Sequence, residues 1–134
     1  MSSSRLVERQ NAMIAVYIHL VRNQSMDDIL EDNRFITNVS DFPVKFDFSE
    51  EMNQVIFRAV DRIDTYERAI DLFLNKWRFE RLGYIEQAIL LVACAELELG
   101  IQDKVVVVNE AVRLAKDYAE EESYKFINGV LDAI

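Results

Sequence analysis

Two arginines near the N-terminus, Arg5 and Arg9, are the side chains whose type and spacing first suggest chemistry. They are four residues apart, and residues at that spacing lie on one face of a helix. Two guanidinium groups on one face could bind a phosphate group. The same charges are also typical of an ordinary solvated helix end, so the residues alone leave both interpretations open.

The sequence contains no recognisable catalytic or metal-binding pattern. His19 is the only histidine, and no second ligand or base has suitable spacing. Cys94 lies in an apolar stretch with no histidine placed to activate it, so we expect a small core residue. The acidic residues between positions 27 and 32 lack the alternating pattern and the central glycine of a calcium loop. We therefore expect a protein that is not an enzyme and that uses no cofactor and no metal.

The composition favours one all-α domain. The chain has 134 residues, of which 51% are hydrophobic, and its three glycines and one proline are too few turn residues for a β-rich fold. A single cysteine fits a reducing compartment, no apolar run approaches the roughly 18 residues of a membrane span, and the first residues lack the apolar core of a signal peptide. We expect a cytoplasmic protein without membrane contact, in which six to seven helices form two helical halves, about residues 1–80 and 81–134.

Serine caps and apolar periodicity predict the first two helices. Ser4 or a neighbouring serine can cap a helix that runs to about Asn23, and Ser25 can open a short helix to about Asp32. The segment that follows, residues 33–47, is the least regular part of the chain. Its many apolar side chains lead us to expect an ordered connection that packs on the helices.

The next helical stretch should begin at a serine cap and contain a break. Ser49 can cap it, and the pattern is interrupted at Asp64 before it continues to Trp77. We expect Trp77, the only tryptophan, in the core or at the junction of the two halves rather than at a binding surface. Arg78 and Arg81 beside it could be surface charges or partner contacts.

The most apolar stretch predicts a buried helix over residues 84–99. It is apolar nearly all round from position 88 to position 95, so it should be the central rod of the C-terminal half. Glu96 follows directly, and a buried carboxylate needs donors. We expect those donors to be backbone N–H groups at a neighbouring helix start. Gly100 is a candidate C-cap.

The last third of the chain should form two helices around an acidic corner. Val105, Val108 and Val112 recur at helical spacing, and the length of this periodic segment favours a helix over a buried strand. Asp103 precedes the first helix and can cap it. After three consecutive glutamates, Ser123 should open the last helix.

The net charge of −9, from 15 basic and 24 acidic residues, is unfavourable for nucleic-acid binding. The charge is unevenly distributed, because residues 1–24 carry three arginines and one glutamate. They are the only net-positive segment, so the first helix is where the sequence concentrates positive charge.

The segments NEAVRLAK and ESYKFINGVLD resemble the C-terminal signature of the NusB family of bacterial transcription antitermination factors. The similarity continues upstream through IEQAILLVACAEL and, more loosely, to residues 12–17. The resemblance implies a small all-helical protein that binds boxA-type single-stranded RNA together with NusE, which is also a small-subunit ribosomal protein. It further implies nascent ribosomal RNA transcripts as the target, the RNA polymerase antitermination complex as the setting, and a homodimer as an alternative state.

The resemblance also implies site residues, in two segments for RNA and at three positions for NusE. The RNA-binding residues are Arg5 and Arg9 near the N-terminus and Glu122, Ser123, Tyr124, Lys125 and Phe126 around the start of the last helix. The NusE-binding residues are Tyr17, Glu86 and Glu110. Core packing of Phe126 and solvated helix faces for the two partner glutamates are the alternative interpretations.

One departure from the family pattern supports a second function. Leu6 and Val7 stand where many members carry further basic residues, and the net charge is −9. The alternative is therefore a protein-only helical module that binds NusE with little or no affinity for RNA.

Overall fold

The computed structural model describes residues 5–31 and 46–134, and this part of the chain contains helices and no strand. The elements, in chain order, are α1 Arg5–Arg22, α2 Met26–Glu31, α3 Glu50–Asp61, α4 Ile63–Asp71, a 3-10 turn Phe79–Arg81, α5 Tyr84–Leu99, α6 Lys104–Tyr118 and α7 Ser123–Ala133. The seven α-helices of these described residues confirm the predicted all-α class. The predicted cap at Ser4 and nearly all of the segment predicted to pack as a connection lie outside the described residues.

Local capping explains how α1 ends and α2 begins. Asn23 has φ 54°, a left-handed conformation that asparagine tolerates, and its N–H donates to the carbonyl of His19 at 2.8 Å. Ser25 Oγ then accepts the N–H of Asp28 at 3.1 Å, which confirms the predicted cap of α2. The two helices can therefore fold back on one another, and they are in contact.

α5 is the central helix of the described structure. Its residues from Gln87 to Glu96 are all buried, and it packs against α1, α3, α4, α6 and α7. A helix that is apolar on every side must be surrounded, so the prediction of a buried helix over residues 84–99 is confirmed. Gly100 ends it with φ 66°, and its N–H donates to the carbonyl of Glu96 at 3.0 Å, as expected for a C-cap. The division into halves near residue 80 stays a prediction.

The helical prediction for the valine run of α6 is confirmed, but the predicted buried stripe is partly wrong. Val105 is 70% exposed, and the side chains that face the core begin at Val107 and Val108. With four consecutive valines, the helix can be rotated about its axis and still place a valine against the core. The helical period alone therefore could not fix which of them point inward. Asp103 occupies the N-cap position, yet its side chain makes no capping hydrogen bond.

The α3–α4 region corrects two further expectations. Ser49 caps α3 as predicted, accepting the N–H of Met52 at 3.2 Å, but the break falls at Arg62 rather than at Asp64. α4 then ends at Asp71, well before Trp77. No helix of residues 5–31 and 46–134 has both the length and the apolar character that crossing a membrane requires.

Trp77 is 62% exposed and not in the core. The side chain of Asp71 accepts the N–H of Phe79 at 2.7 Å and so turns the chain after α4. This turn directs Phe79, which is 3% exposed, into the core in place of the tryptophan. The apolar anchor of this segment is therefore two residues later than the sequence suggested.

Candidate nucleic-acid interface

Arg9 is buried at the junction of α1, α5 and α6. Its Nε donates to Glu96 Oε1 at 2.7 Å, its Nη1 lies 3.6 Å from Glu110 Oε1, and only 5% of the side chain is exposed. The interpretation of the two arginines as an ordinary solvated helix end is therefore wrong for Arg9. The same contact also corrects the donors expected for Glu96, since a guanidinium rather than a helix start neutralises the buried carboxylate.

The buried cluster around Arg9 is incompletely hydrogen bonded. Nη2 of Arg9, Oε2 of Glu96 and Nη2 of Arg113 are buried and make no hydrogen bond to other described residues. Glu110 accepts a bond from Arg113 Nε at 3.1 Å as well as facing Arg9. The cluster thus joins Arg9, predicted to bind RNA, to Glu110, predicted to bind the partner.

Arg5 is the first residue of α1, and its side chain reaches the start of α3. Its Nη2 is 2.6 Å from Glu51 Oε1, and its Nη1 is 3.8 Å from Glu8 Oε1 and 3.4 Å from the hydroxyl oxygen of Ser49. Glu8 in turn accepts the backbone N–H of Ser49 at 2.7 Å. Arg5 is half-buried and shares its charge with two carboxylates, so a phosphate group would have to compete with them.

The start of α7 is bound directly to the start of α5. Glu122 has φ 80°, and Ser123, the first residue of α7, donates its hydroxyl to Glu86 Oε2. The other oxygen of Glu86 accepts the N–H of Gly83 at 2.8 Å. Glu86, predicted to bind the partner, is therefore hydrogen bonded to Ser123, predicted to bind RNA.

Three further residues predicted to bind RNA lie along the first turns of α7. Lys125 forms an exposed ion pair with Glu122, whose carboxylate raises the pKa of Lys125 above its ordinary value. The Tyr124 ring lies under the ammonium of Lys116, with Nζ 4.7 Å from the ring centroid. Phe126 is half-buried, so it both packs on the core and keeps a surface.

A cleft of about 300 Å³ opens between the starts of α5 and α7. Ser123 and Phe126 line it from α7, and Trp77 and Arg81 line it from the connection that precedes α5. The structure therefore brings Glu86, Glu122, Ser123 and Phe126 of the predicted residues to one place; these residues line the cleft. Among the described residues, no hydrogen bond or ion pair joins Arg5 or Arg9 to this cleft.

Trp77 and Arg81 are cleft residues that sequence analysis did not assign to the site. The available signal was the polar surroundings of Trp77, which stands between Lys76 and Arg78 in the sequence. That signal is weak, because an isolated tryptophan is more often buried than displayed.

The remaining predicted partner residue, Tyr17, lies on α1, half-buried and packed against the core. It makes no hydrogen bond to Glu86 or Glu110 within the described ranges. The same ranges contain no group of three or more His, Cys, Asp or Glu side chains that could hold a metal ion.

Comparisons with known proteins identify the family. A sequence model described as the NusB family matches residues 7–134. A curated relative named transcription antitermination protein NusB, from Lactococcus lactis, is 35% identical over 130 residues, which are 96% of this chain and 68% of the relative. A protein of the same name from Sulfurimonas denitrificans is 41% identical over 109 residues, 81% of this chain and 75% of the relative.

Solved structures agree with the sequence comparison. The structure of NusB from T. maritima aligns with a TM-score of 0.79 at 27% identity and covers 99% of this chain and 91% of its own. A crystal structure of the antitermination factors NusB and NusE in complex with double-stranded RNA aligns with a TM-score of 0.75, at 27% identity, over 96% of this chain and 93% of that one. The chain belongs to the NusB family.

Proposed function

We propose that this chain is an RNA-binding transcription antitermination factor that acts together with NusE. Its curated relatives carry the antitermination name, and a structurally similar NusB chain was solved with NusE and double-stranded RNA. The observation that carries the proposal within this chain is the cleft at the start of α7. There, Ser123 and Phe126 line the cleft, and the exposed Lys125 of the same helix turn is paired with the cleft residue Glu122.

The RNA that this site would take is single-stranded and of the boxA type, in nascent ribosomal RNA transcripts. A helix start with a cation binds phosphate, and an accessible aromatic ring stacks on an unpaired base. In this proposal Lys125 and Arg5 approach phosphate groups, and Glu122 and Tyr124 shape the surface around them. The wider setting would be the RNA polymerase antitermination complex, with a homodimer as an alternative state of the free protein.

Arg9 has a different role in this proposal from that of Arg5. A side chain with 5% exposure has almost no surface to offer a phosphate group. We assign Arg9 to holding α1 against α5 and α6. This assignment predicts that Arg9 does not contribute to the salt dependence of RNA binding, since that dependence counts phosphate contacts.

NusE would supply the attraction that the chain itself lacks. A chain of net charge −9 repels RNA at long range, whereas a basic partner attracts both the chain and the transcript. Tyr17, Glu86 and Glu110 are the residues proposed for that contact. Glu86 already accepts a hydrogen bond from Ser123, and Glu110 already faces Arg9. Partner binding at Glu86 would therefore change the surroundings of Ser123, and partner binding at Glu110 those of Arg9.

The test is a titration of fluorescent boxA RNA, with NusE present, on the wild type and on Lys125→Ala. The substitution should weaken binding and lower the slope of log affinity against log salt by about 0.7 in magnitude, because one phosphate contact is lost. The exposed Arg68 on α4 provides the matched control, and Arg68→Ala should leave both quantities unchanged. A wild type that binds no RNA even with NusE would reject the proposal.

The protein-only module remains the second candidate, favoured by the burial of Arg9 and the pairing of Arg5 with Glu51. Under that function NusE would bind equally well to the wild type, Arg5→Ala and Lys125→Ala. No RNA would be retained by any of the three complexes.

A further inference from the structure

The only tryptophan of the chain is displayed at the cleft between α5 and α7. Its ring is largely exposed although it could have entered the core, where Phe79 of the same segment is buried. Keeping a large aromatic surface in water forgoes the free energy that burial would provide. An exposed tryptophan at the edge of a concave site therefore indicates contact with a binding partner.

The polar groups of the cleft favour a neutral ring over a charged group. Glu86 accepts hydrogen bonds from Gly83 and Ser123, and Glu122 is paired with Lys125, so these two carboxylates are already engaged. Glu120 and Glu121 also line the cleft. Their charge would repel a phosphate group from the interior while leaving a nucleobase free to enter.

The rim of the cleft carries an exposed cation. The guanidinium of Arg81 makes no hydrogen bond or ion pair with any residue in the described ranges. It is placed to attract the backbone of a strand whose base has entered the cleft.

We propose that Trp77 is a stacking platform for one nucleobase of the bound RNA and that Arg81 neutralises the adjacent phosphate. This deepens the proposed RNA-binding function and rests on it. The volume of about 300 Å³ is at the small end of ligand sites, which suits a single ring system. The cleft is continuous with Ser123 and Phe126, so the base on Trp77 would neighbour the segment already proposed to contact RNA.

The experiment uses the natural single tryptophan as the probe. RNA is titrated into the complex with NusE while tryptophan fluorescence is recorded, and the Trp77→Phe complex supplies the background from NusE. Stacking of a base should quench the Trp77 signal. Trp77→Ala should weaken RNA binding about 5- to 150-fold, the range for loss of one base stack.

Three variants separate stacking from other roles of the side chain. Trp77→Phe should keep most of the affinity because it retains an aromatic face, whereas Trp77→Leu should lose as much as Trp77→Ala. Leu72→Ala removes an exposed apolar side chain from the same connection, outside the cleft, and should change nothing. These three variants and Trp77→Ala should all keep the wild-type slope of log affinity against log salt. Arg81→Ala should lower that slope by about 0.7 in magnitude.

Each outcome has one meaning. If the wild type and Trp77→Ala bind RNA with equal affinity, the inference is overturned and the proposed function is left intact. Quenching by NusE alone, without RNA, also overturns it, because the cleft would then hold a side chain of the partner. A wild type that binds no RNA with NusE present overturns the proposed function and the inference together.

Discussion

The Arg9 guanidinium lies between two carboxylates, Glu96 on α5 and Glu110 on α6, in a nearly water-free position. Burying charges is costly, and their mutual attraction offsets that cost only while both partners are present. The pair therefore adds little net stability as a unit but makes the loss of either member expensive. Its main effect is to fix where α1 lies.

A prediction follows for the two members of this buried pair. Arg9→Met should lower the free energy of unfolding by about 3–5 kcal/mol, because Glu96 is left buried without its cation. Arg9→Met combined with Glu96→Met should recover most of that loss, since two apolar side chains replace two charges. Urea unfolding followed by circular dichroism measures both.

The half-exposed Arg5 provides the control for this pair. Arg5→Met breaks a surface ion pair with Glu51 and should cost at most about 1 kcal/mol. Equal losses for Arg5→Met and Arg9→Met, or no recovery in the double variant, would contradict the role given to Arg9.

The buried Cys94 thiol makes the stability of the fold decrease with rising pH in the alkaline range. Burial raises the pKa of the Cys94 thiol to about 12, with a smaller contribution from the Glu98 carboxylate. In the unfolded chain the Cys94 thiol has its ordinary pKa of about 8.5. Above that pH the unfolded chain loses the thiol proton, whereas the folded chain keeps it. Stability is therefore complete below about pH 8.5 and falls as the pH rises towards 12.

The prediction is a loss of about 1 kcal/mol in the free energy of unfolding between pH 8.5 and pH 9.5 that Cys94→Ala abolishes. This window lies below the ordinary pKa of tyrosine, so Tyr66, whose pKa burial also raises, contributes little. Denaturant titrations at the two pH values measure the difference. If Cys94→Ala loses as much free energy of unfolding between the two pH values as the wild type does, another group is responsible.

At the scale of a helix, two glycines have opposite requirements. Gly100 ends α5 with a left-handed φ of 66°, whereas Gly129 lies inside α7 without a positive φ. A Cβ added at either position meets nothing within 4 Å. Backbone conformation alone therefore distinguishes them.

The matched substitutions should change stability in opposite directions. Gly100→Ala should destabilise by about 1–2 kcal/mol, because alanine is strained in the left-handed region. Gly129→Ala should stabilise by about 0.5–1 kcal/mol, because alanine favours the interior of a helix. Thermal unfolding of the two variants checks the signs, and destabilisation in both would refute the assigned α7 conformation.

The helices show which structural information is local. The all-apolar stretch of α5 and the cap residues Ser25 and Ser49 could be predicted because each signal lies within a few residues. The Arg9–Glu96 pair could not, since its members are 87 residues apart in the chain. The α5 stretch identified a buried helix but not which cation would meet the carboxylate after it.

The candidate site was predictable only in part for the same reason. Ser123 and Phe126 were expected there from a family resemblance, and the cleft contains them. The exposure of Trp77 depends on the bond between Asp71 and the N–H of Phe79, eight residues apart across a turn. No periodicity in the sequence encodes that bond, so the sequence predicts Trp77 in the core or at the junction of the two halves.

At the scale of the whole molecule, charge limits what the chain can bind alone. The net charge is −9, and the arginines near the N-terminus are paired with Glu51 and Glu96. RNA affinity depends on how many cations meet phosphate groups. In the proposed site only Arg5, Lys125 and Arg81 would meet phosphate groups, and Arg5 is already paired with Glu51. We therefore expect binding at physiological salt to need a basic companion that contacts both the chain and the RNA.

The most direct test is the dissociation constant for boxA RNA at one physiological salt concentration, measured by fluorescence anisotropy with and without NusE. An unrelated single strand of equal length serves as the control RNA. The account predicts that NusE tightens binding of boxA RNA at least about tenfold, a gain of about 1.4 kcal/mol or more, and that the control strand gains less. Equal affinity with and without NusE, or no binding in its presence, would contradict it.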